Sequence, residues 1–299
     1  MRRITHFIYN QKAAPYIFVL PFVLTFLVFF VYPVFTTIRM SFQEILPGMI
    51  TNVGLKNYQR LLGDRIFRTA VSNSFEYMFW TVLILIPMPL ALAYMLNSRS
   101  MAAPGLFKGI LFLPILTSVV VAGTIFRLIF GELPGSFMNT VRAFFGLAPI
   151  KWLRQEGTGM AALVIMCCWR WTGVNILYYL AALKNIPPEM YESAEIDGAN
   201  AWQKFRHISV PLVKPTIIYV LTISIYGGLA MFTESYMLWA GNNSPRNIGL
   251  TIVGYLYRQG WEQNRMGFAS AVGLVLLVFA SIINFIQLRL TGVLGKEGD

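Results

Sequence analysis

Charged residues are scarce in this sequence of 299 amino acids, since Asp, Glu, Lys and Arg together make up only 12% of it. Soluble domains normally carry about 25% charged residues. Hydrophobic residues make up 56% of the chain instead, and a soluble protein of this composition would expose large apolar patches. A bilayer removes that problem because the outer surface can be as apolar as the core. The composition therefore predicts an integral membrane protein.

Histidine and cysteine are also rare, with two residues of each. His6 and His207 lie far apart in the sequence, so no metal-ligand spacing exists. Cys167 and Cys168 are adjacent in an apolar run, and two cysteines make no disulfide framework. The sequence shows neither the converging nucleophile and base of a membrane-embedded enzyme nor the filter or charged ring of an ion channel.

The net charge is +11. In a soluble protein this excess would suggest nucleic-acid binding. Here the basic residues lie between apolar runs rather than in one stripe, so we expect lipid headgroups of the bilayer as their partner and no nucleic acid.

Six apolar runs are each long enough for a span of about 20 residues. They lie near 15–38, 77–98, 108–127, 159–183, 215–240 and 266–288. The first run is longer than the apolar region of a signal peptide, which predicts an uncleaved first span. We therefore expect an all-α integral membrane protein with six transmembrane helices.

Two features of the segments between the apolar runs bear on the membrane topology. Residues 55–70 place apolar side chains at helical spacing, which predicts one short amphipathic helix on the membrane surface. The charge count does not decide orientation, because a cytoplasmic N-terminus leaves eleven basic residues inside and twelve outside. The positive-inside rule is therefore neutral here.

The segment 186–215 predicts a helix, a sharp turn and a second helix. Pro187 and Pro188 suit a helix start, where the missing N–H is harmless. Gly198 suits a left-handed helix end. We expect a short helix over 187–198 whose apolar face, formed by Met190, Tyr191 and Ala194, points outward.

This segment resembles the EAA signature loop of ABC importer permeases. The matching residues are Glu192, Ala194, Asp197, Gly198, Ala199, Phe205, Ile208, Pro211 and Pro215. Ser193 stands where the family usually has Ala. The chain is also similar to the first permease of the maltose- and glycerol-phosphate-type carbohydrate-uptake branch. The residues that carry this resemblance are 54–64, Gly135, Asn139, Trp152, Leu153, Tyr257, Arg258, Gly267, Ala269, Ser270 and Ala271.

The resemblance implies that the loop is cytoplasmic, and hence that both termini are cytoplasmic in a multi-pass protein of the cell (inner or plasma) membrane. It implies the fold of an ABC type I importer permease. The expected segments are a cytoplasmic N-terminal segment 1–14, a first transmembrane helix 15–38, an external segment 39–71, a permease core 72–290 with five transmembrane helices and the loop 186–215, and a cytoplasmic tail 291–299.

The resemblance also implies partners. The residues expected to couple to an ATPase are Pro188, Tyr191, Glu192, Ser193, Ala194, Asp197, Gly198 and Ala199. The chain has no G-x-x-x-x-G-K-[ST] phosphate loop, so it is not expected to be an enzyme or to bind a cofactor. ATP and Mg are expected on two separate ATPase subunits, beside a second homologous permease and an extracytoplasmic sugar-binding protein.

Polar and aromatic residues inside spans four and five are candidates for the substrate pathway, because intramembrane polar residues are costly. These are Trp169, Trp171, Asn175, Tyr178, Tyr226, Phe232 and Glu234. Alternatively, the aromatic residues form an interfacial belt or pack. Glu234 either binds substrate, pairs with Arg170, or lies at the external water boundary. Asn284 and Gln287 are expected to join helices.

These features predict the membrane-spanning permease subunit of an ATP-driven importer of a sugar or oligosaccharide. The alternative is an ion-gradient-driven secondary transporter. Such transporters often have inverted repeats and buried carboxylates. The sequence shows no repeat, and Glu234 is its only candidate carboxylate.

Overall fold

A computed structural model describes residues 14–46, 48–98, 101 and 103–292. The elements of the first half are α1 (Ala14–Phe26), α2 (Tyr32–Ser41), β1 (Gln43–Leu46), β2 (Met49–Asn52), α3 (Lys56–Gly63), α4 (Arg65–Leu85), α5 (Pro87–Leu96), α6 (Pro104–Leu116), α7 (Val119–Ile129) and α8 (Phe137–Phe144). Those of the second half are α9 (Glu156–Lys184), α10 (Pro188–Ile196), α11 (Ala201–Lys204), α12 (Val210–Leu212), α13 (Lys214–Leu229), α14 (Thr233–Leu238), α15 (Ile252–Tyr257) and α16 (Met266–Leu290). Short π-helical segments lie at Leu27–Val31, Phe205–Ser209 and Arg258–Glu262, and 3₁₀ turns at Trp152–Arg154 and Pro245–Asn247.

The described chain divides into two compact units. The first holds the residues up to Gly63 together with Leu256–Val275, and the second holds Asp64–Tyr255 and the residues from Leu276 onward. The predicted N-terminal segment 1–14 and tail 291–299 lie outside the described residues, apart from Ala14, Thr291 and Gly292.

A few long apolar helices could cross a membrane. Within the described residues, four stretches are long and apolar enough to cross a bilayer, namely Ala14–Ser41, Arg65–Leu96, Glu156–Lys184 and Met266–Leu290. Two bent helix pairs, Pro104–Leu116 with Val119–Ile129 and Ala201–Leu212 with Lys214–Leu229, raise the number to six if each counts as one span. The all-α membrane fold is confirmed.

The first unit contains a small antiparallel β-hairpin, which the sequence analysis did not predict. Strands β1 and β2 pair in the register Gln43 with Asn52, and Gly48 between them has a φ of +79°. Asn57 donates from Nδ2 to the backbone oxygens of Ser41 and Gln43, at 2.9 and 3.0 Å. This buried amide attaches α3 to the start of the hairpin.

The second unit is built around α9, which packs against α4, α5, α6 and α13. Most of its residues are buried, because neighbouring helices cover much of its surface. A helix in such a position is apolar on most sides. Gly173 allows its closest crossing, since a Cβ there would lie 2.1 Å from the Leu111 carbonyl oxygen of α6. Small residues allow this close approach of membrane helices.

A break between α4 and α5 is compensated from α9. Pro89 has no N–H, so the Leu85 carbonyl lacks its normal helical donor four residues on. Asn175 supplies the missing donor, with its Nδ2 3.1 Å from the Leu85 oxygen. A side chain of a neighbouring helix therefore satisfies the Leu85 carbonyl at this break.

The stretch 55–70 contains the predicted short helix, α3, but this helix ends at Gly63 and does not continue to residue 70. Asp64 separates α3 from α4, because its Oδ1 accepts from the backbone N–H groups of Ile66 and Phe67 at 2.7 and 3.2 Å. This N-cap starts a new helix. Helix α4 consequently begins before the apolar run at 77–98 and before the predicted core boundary at 72.

The third apolar run is also not one straight helix. Helices α6 and α7 meet at an angle of 98°. Pro114 lies inside the last turn of α6, and the backbone of Thr117 and Ser118 is extended. Proline removes a helical hydrogen bond and clashes with the preceding turn, which explains why the helix ends shortly afterwards.

The fifth run is interrupted, so Glu234 does not lie in the fifth long helix as predicted. Helix α13 ends at Leu229, directly after Gly227 and Gly228, and Glu234 lies in the separate short helix α14. Two adjacent glycines weaken a helix. The carbonyl of Met231 in the break accepts a hydrogen bond from Thr251 Oγ1 at 2.6 Å.

Candidate functional site

Helix α10 has clear local signals at both ends. Pro188 occupies its first turn and Glu189 adds a negative charge there, which the positive end of the helix dipole favours. At the other end Gly198 has a φ of +78°. Its N–H donates to the Glu195 carbonyl at 3.0 Å, and that of Ala199 to the Ala194 carbonyl at 2.8 Å. This pair of bonds is a Schellman motif, and the left-handed helix end predicted at Gly198 is confirmed.

The chain then turns into α11 through a capping box. Asn200 Oδ1 accepts from the Gln203 N–H at 2.9 Å, and Gln203 Oε1 accepts from the Asn200 N–H at 2.7 Å. Lys204 in α11 reaches back to Glu195 in α10, with Nζ 2.5 Å from Oε1. The two short helices are therefore joined by backbone, side-chain and charged contacts.

The inner side of α10 is fastened to its own subunit. The Tyr191 hydroxyl lies 2.8 Å from Ser209 Oγ, and the Tyr191 ring packs on a buried cluster that includes Leu180 and Leu183 of α9. Tyr94 of α5 donates from its hydroxyl to the Ala201 carbonyl at 3.0 Å. A force on α10 would therefore reach α5, α9 and the segment that leads to α13.

This geometry corrects the outward apolar face proposed for α10. Tyr191 and Ala194 are half-buried against the protein, whereas Met190 is exposed. Ile196, which the sequence analysis missed, is 87% exposed. A helical projection from Tyr191 and Ala194 as the inner face would have identified Ile196 as outward. Of the remaining predicted coupling residues, those exposed are Pro188, Glu192, Ser193, Asp197 and Gly198, and Ala199 is intermediate.

A second candidate region is a face of exposed aromatic side chains on α9 and α13. Trp171 and Tyr178 are exposed and seven residues apart on α9, which places them on one face. Tyr219 and Tyr226 are exposed with the same spacing on α13. The two rows meet at Tyr178 and Tyr219, whose ring centroids are 5.4 Å apart. We call these four side chains the aromatic face; its Tyr219 was missed, although the spacing to Tyr226 marks it.

An ion pair includes Arg170, which precedes Trp171 of this face in the sequence. Arg170 is the central residue of the 29-residue helix α9, and its Nη1 lies 2.8 Å from Glu234 Oε1. Their side chains are only 11% and 14% exposed. Of the three roles left open for Glu234, pairing with Arg170 is confirmed. A charge at this depth is costly unless it is paired.

The other predicted pathway residues are placed apart. Asn175 is buried, and its amide is used for the Leu85 carbonyl, so it acts in packing. Trp169 lies on a different side of α9 from Trp171 and packs on Phe126 with a centroid distance of 5.4 Å. Phe232 lies just before α14 and packs on Tyr236 at 5.3 Å.

Two polar residues of α16, Asn284 and Gln287, were predicted to join helices, and one of them does so. Gln287 Oε1 accepts from Thr222 Oγ1 of α13 at 3.1 Å. Asn284 instead donates to the Ala280 carbonyl of its own helix at 3.0 Å. Among the described residues, no group of three His, Cys, Asp or Glu side chains could hold a metal ion.

Comparisons with known proteins agree with this architecture. The sequence profile of the family described as "Binding-protein-dependent transport system inner membrane component" matches residues 91–292. The arabinooligosaccharides transport system permease protein AraP of Bacillus subtilis strain 168 is 53% identical over 290 residues, covering 97% of this chain and 92% of AraP. The lactose transport system permease protein LacF of Rhizobium radiobacter is 33% identical over 274 residues, covering 91% of this chain and 92% of LacF.

A solved structure is similar over the same length. A chain of a bacterial alginate ABC transporter, crystallised in complex with an alginate pentasaccharide-bound periplasmic protein, gives a TM-score of 0.83 at 26% identity. The similarity covers 97% of both chains.

Proposed function

The chain belongs to the family of binding-protein-dependent transport system inner membrane components, and on that premise we propose that it imports an arabinose-containing oligosaccharide. It is a multi-pass membrane permease subunit of an ABC sugar importer, and not an enzyme. The observation that carries the substrate class is the 53% identity to a permease of arabinooligosaccharides along 97% of the chain. Nothing in the family or its relatives favours the ion-gradient alternative.

Helix α10 is the contact for an ATPase subunit in this proposal. Its outer side exposes Met190, Ser193 and Ile196, a small partly apolar surface that suits a cleft in a partner. Its inner side is held by Tyr191 and by the ion pair of Glu195 with Lys204. Two ATPase subunits, which carry the ATP and Mg, would engage this helix and the equivalent helix of a second homologous permease.

The aromatic face is the proposed wall of the translocation pathway. Flat rings suit the C–H faces of sugar rings, and tyrosine hydroxyls can hydrogen-bond to sugar hydroxyls. The four side chains remain exposed in a single subunit, as expected if the second permease completes the pathway. Movement of α10 would reach this face directly, because only three residues separate the end of α9 from the start of α10.

The orientation follows from the same assignment. An ATPase works in the cytoplasm, so α10 and both termini are cytoplasmic in this proposal. The opposite ends of the long helices then meet an extracytoplasmic sugar-binding protein, which delivers the oligosaccharide. The segments 1–14 and 291–299 are cytoplasmic, and 39–71 is external.

Reconstitution of the complete transporter tests this function. The permease would be co-purified with its second permease and ATPase, placed in proteoliposomes, and supplied with the binding protein and labelled arabinotriose. We expect uptake that requires both ATP and the binding protein. Uptake driven by a proton or sodium gradient without ATP would instead support the secondary transporter, and ATP-driven uptake of other sugars but not arabinotriose would overturn the substrate class.

A further inference from the structure

The centre of the proposed pathway contains one positive and one negative side chain. Between the terminal Glu156 and Lys184 of α9, Arg170 is the only charged residue, and Glu234 is the only one in α14. Helix α13 carries no charged residue beyond its first position. Apart from Glu156, Lys184 and Lys214 at helix ends, the charged residues of these three helices are therefore one cation and one anion.

The geometry of the pair leaves part of the arginine unused. Arg170 Nη1 bonds to Glu234 Oε1 at 2.8 Å, while Arg170 Nε is buried without a hydrogen-bond partner among the described residues. A guanidinium has five N–H donors in a fixed fork that matches a carboxylate. Arg170 could thus hold a further carboxylate if Glu234 did not neutralise it.

Aromatic residues lie close to both members of the pair in the sequence. Trp169 and Trp171 flank Arg170 in the sequence, and Phe232 packs on Tyr236 around Glu234, with ring centroids 5.3 Å apart. Such rings provide no counter-charge for an anionic ligand. A carboxylate entering here would lose its hydration with no compensating cation, and burial of an unpaired charge is strongly unfavourable.

We propose that the Arg170–Glu234 pair is a charge filter, which makes the pathway select neutral oligosaccharides over those that contain uronic acids. Glu234 repels a uronate and neutralises Arg170, the cation at the centre of α9 that could otherwise bind it. The inference rests on the proposed function, because it takes the aromatic face as the pathway wall. It goes further by assigning the selection between neutral and acidic sugars to two named side chains.

A purely structural role makes a different prediction. The pair also joins α9 to the short helix α14, so breaking it could weaken the whole site. A structural tie would reduce the binding of neutral and acidic sugars together. A charge filter changes the ratio of the two, so the ratio is the decisive measurement.

The test compares arabinotriose with trigalacturonate on the assembled transporter in nanodiscs, without binding protein, by saturation-transfer NMR at low salt. Wild type should favour arabinotriose. Glu234→Gln, which leaves the cation of Arg170 unneutralised, should raise the trigalacturonate-to-arabinotriose binding ratio at least about tenfold, as expected when a bound carboxylate gains a charge-assisted partner. The double variant Arg170→Gln/Glu234→Gln should keep the wild-type ratio, because its net charge is again zero.

A matched control removes the same charge from another ion pair. Arg154 and Glu132 form an exposed pair at 2.6 Å in the connection between α7 and α9, so Glu132→Gln should leave the ratio unchanged. If Glu234→Gln does not assemble, Arg170→Lys/Glu234→Gln provides the same unpaired cation with a more flexible side chain.

The outcomes separate this inference from the proposed function. Suppose that the wild type performs ATP-driven arabinotriose uptake while the assembled variants with an unpaired cation keep the wild-type binding ratio. That result overturns the charge filter alone. A wild type that binds both sugars equally overturns it as well. Failure of ATP-driven arabinotriose uptake by the wild type would count against the proposed function instead.

Discussion

At the scale of single residues, Gly173 is the position where the packing leaves least room. A Cβ at this position would lie 2.1 Å from the Leu111 oxygen and 2.8 Å from Phe112 Cα. Both obstacles are backbone atoms, so a side-chain rotation cannot relieve the clash. We expect Gly173→Ala to lower the stability of the subunit by about 1–3 kcal/mol, the usual cost of overpacking.

Thermal unfolding in detergent checks this expectation against a matched glycine. Gly227 lies inside α13, and no atom lies within 4 Å of the place that a Cβ would occupy there. Gly227→Ala should therefore be neutral or slightly stabilising, because alanine favours a helix over glycine by about 1 kcal/mol. Equal melting temperatures for the two variants would contradict the close crossing of α6 and α9.

Asn175 and Trp171 were both predicted to touch substrate, but the structure separates their roles. Asn175→Ala leaves the Leu85 carbonyl buried without a donor, which should destabilise the protein by about 1–3 kcal/mol. Trp171→Ala removes an exposed ring and should leave stability unchanged while reducing sugar uptake. Melting temperature and uptake are measured for both variants. A stable Asn175→Ala with impaired uptake would restore the substrate role that the sequence predicts for this residue.

Substitution of Gly198 tests the effect of backbone strain without a change in packing. Its φ is +78°, and no atom lies within 4 Å of a Cβ built there. Any cost of substitution therefore comes from the left-handed conformation, about 1–2 kcal/mol for an ordinary residue. Gly198→Val should reduce co-purification of the ATPase subunit and transport, while Gly198→Asn should retain more of both, because asparagine also occurs at this helix position. Full function of the valine variant would show that this turn does not matter for coupling.

At the scale of elements, α10 transmits force only if it moves together with its own subunit. Tyr191→Phe keeps the ring in its buried cluster but removes the hydrogen bond to Ser209. The lost bond is worth about 0.5–1.5 kcal/mol. We expect ATP hydrolysis to continue with less sugar transported per ATP, because the helix is looser.

Paired measurements of hydrolysis and uptake reveal that uncoupling. Ser209→Ala should have at least the effect of Tyr191→Phe, because it also removes the longer bond from Ser209 Oγ to the Lys204 carbonyl at 3.5 Å. The double variant should be no worse than Ser209→Ala, since both remove the same bond between Tyr191 and Ser209. Additive losses would show that the two hydroxyls act separately. Glu132→Gln, in an exposed ion pair with Arg154, is the control without effect.

Elements with strong local signals were predictable from the sequence. Helix α10 follows from the proline at its start and the glycine after its end, and α9 from a long apolar stretch. The bends were not predictable, because their partners are distant in sequence. The Leu85 carbonyl accepts from Asn175 and the Met231 carbonyl from Thr251, and only the folded structure shows these two contacts.

The candidate site was predictable in composition but not in arrangement. Aromatic residues in α9 were identified, yet Trp169 and Trp171 lie on different sides of the helix, and only the second belongs to the aromatic face. Glu234 was recognised as one of two partners in a possible ion pair with Arg170. The pair can form because α13 ends at Leu229. The short helix α14 that follows then lies beside the centre of α9.

At the scale of the whole molecule, the length of α9 determines which connections share a side of the membrane. Its 29 residues extend about 43 Å at 1.5 Å per residue, which exceeds a hydrocarbon core of about 30 Å. A helix of this length with one paired charge at its centre has both ends in water. Lys151 just before it and Ser193 just after it, both exposed, should therefore lie on opposite sides of the membrane.

Cysteine labelling in intact cells measures this directly. Cys167 and Cys168 are buried and would first be replaced by alanine, which leaves a background without cysteine. In that background, a membrane-impermeant maleimide should label Lys151→Cys from outside, and Ser193→Cys only after the membrane is opened. Labelling in the reverse order would keep α9 as a span but turn the molecule over, and would remove α10 from the reach of any cytoplasmic ATPase. Labelling of both positions from outside would show that α9 does not cross the membrane, and the pathway proposed along its centre would then have no basis.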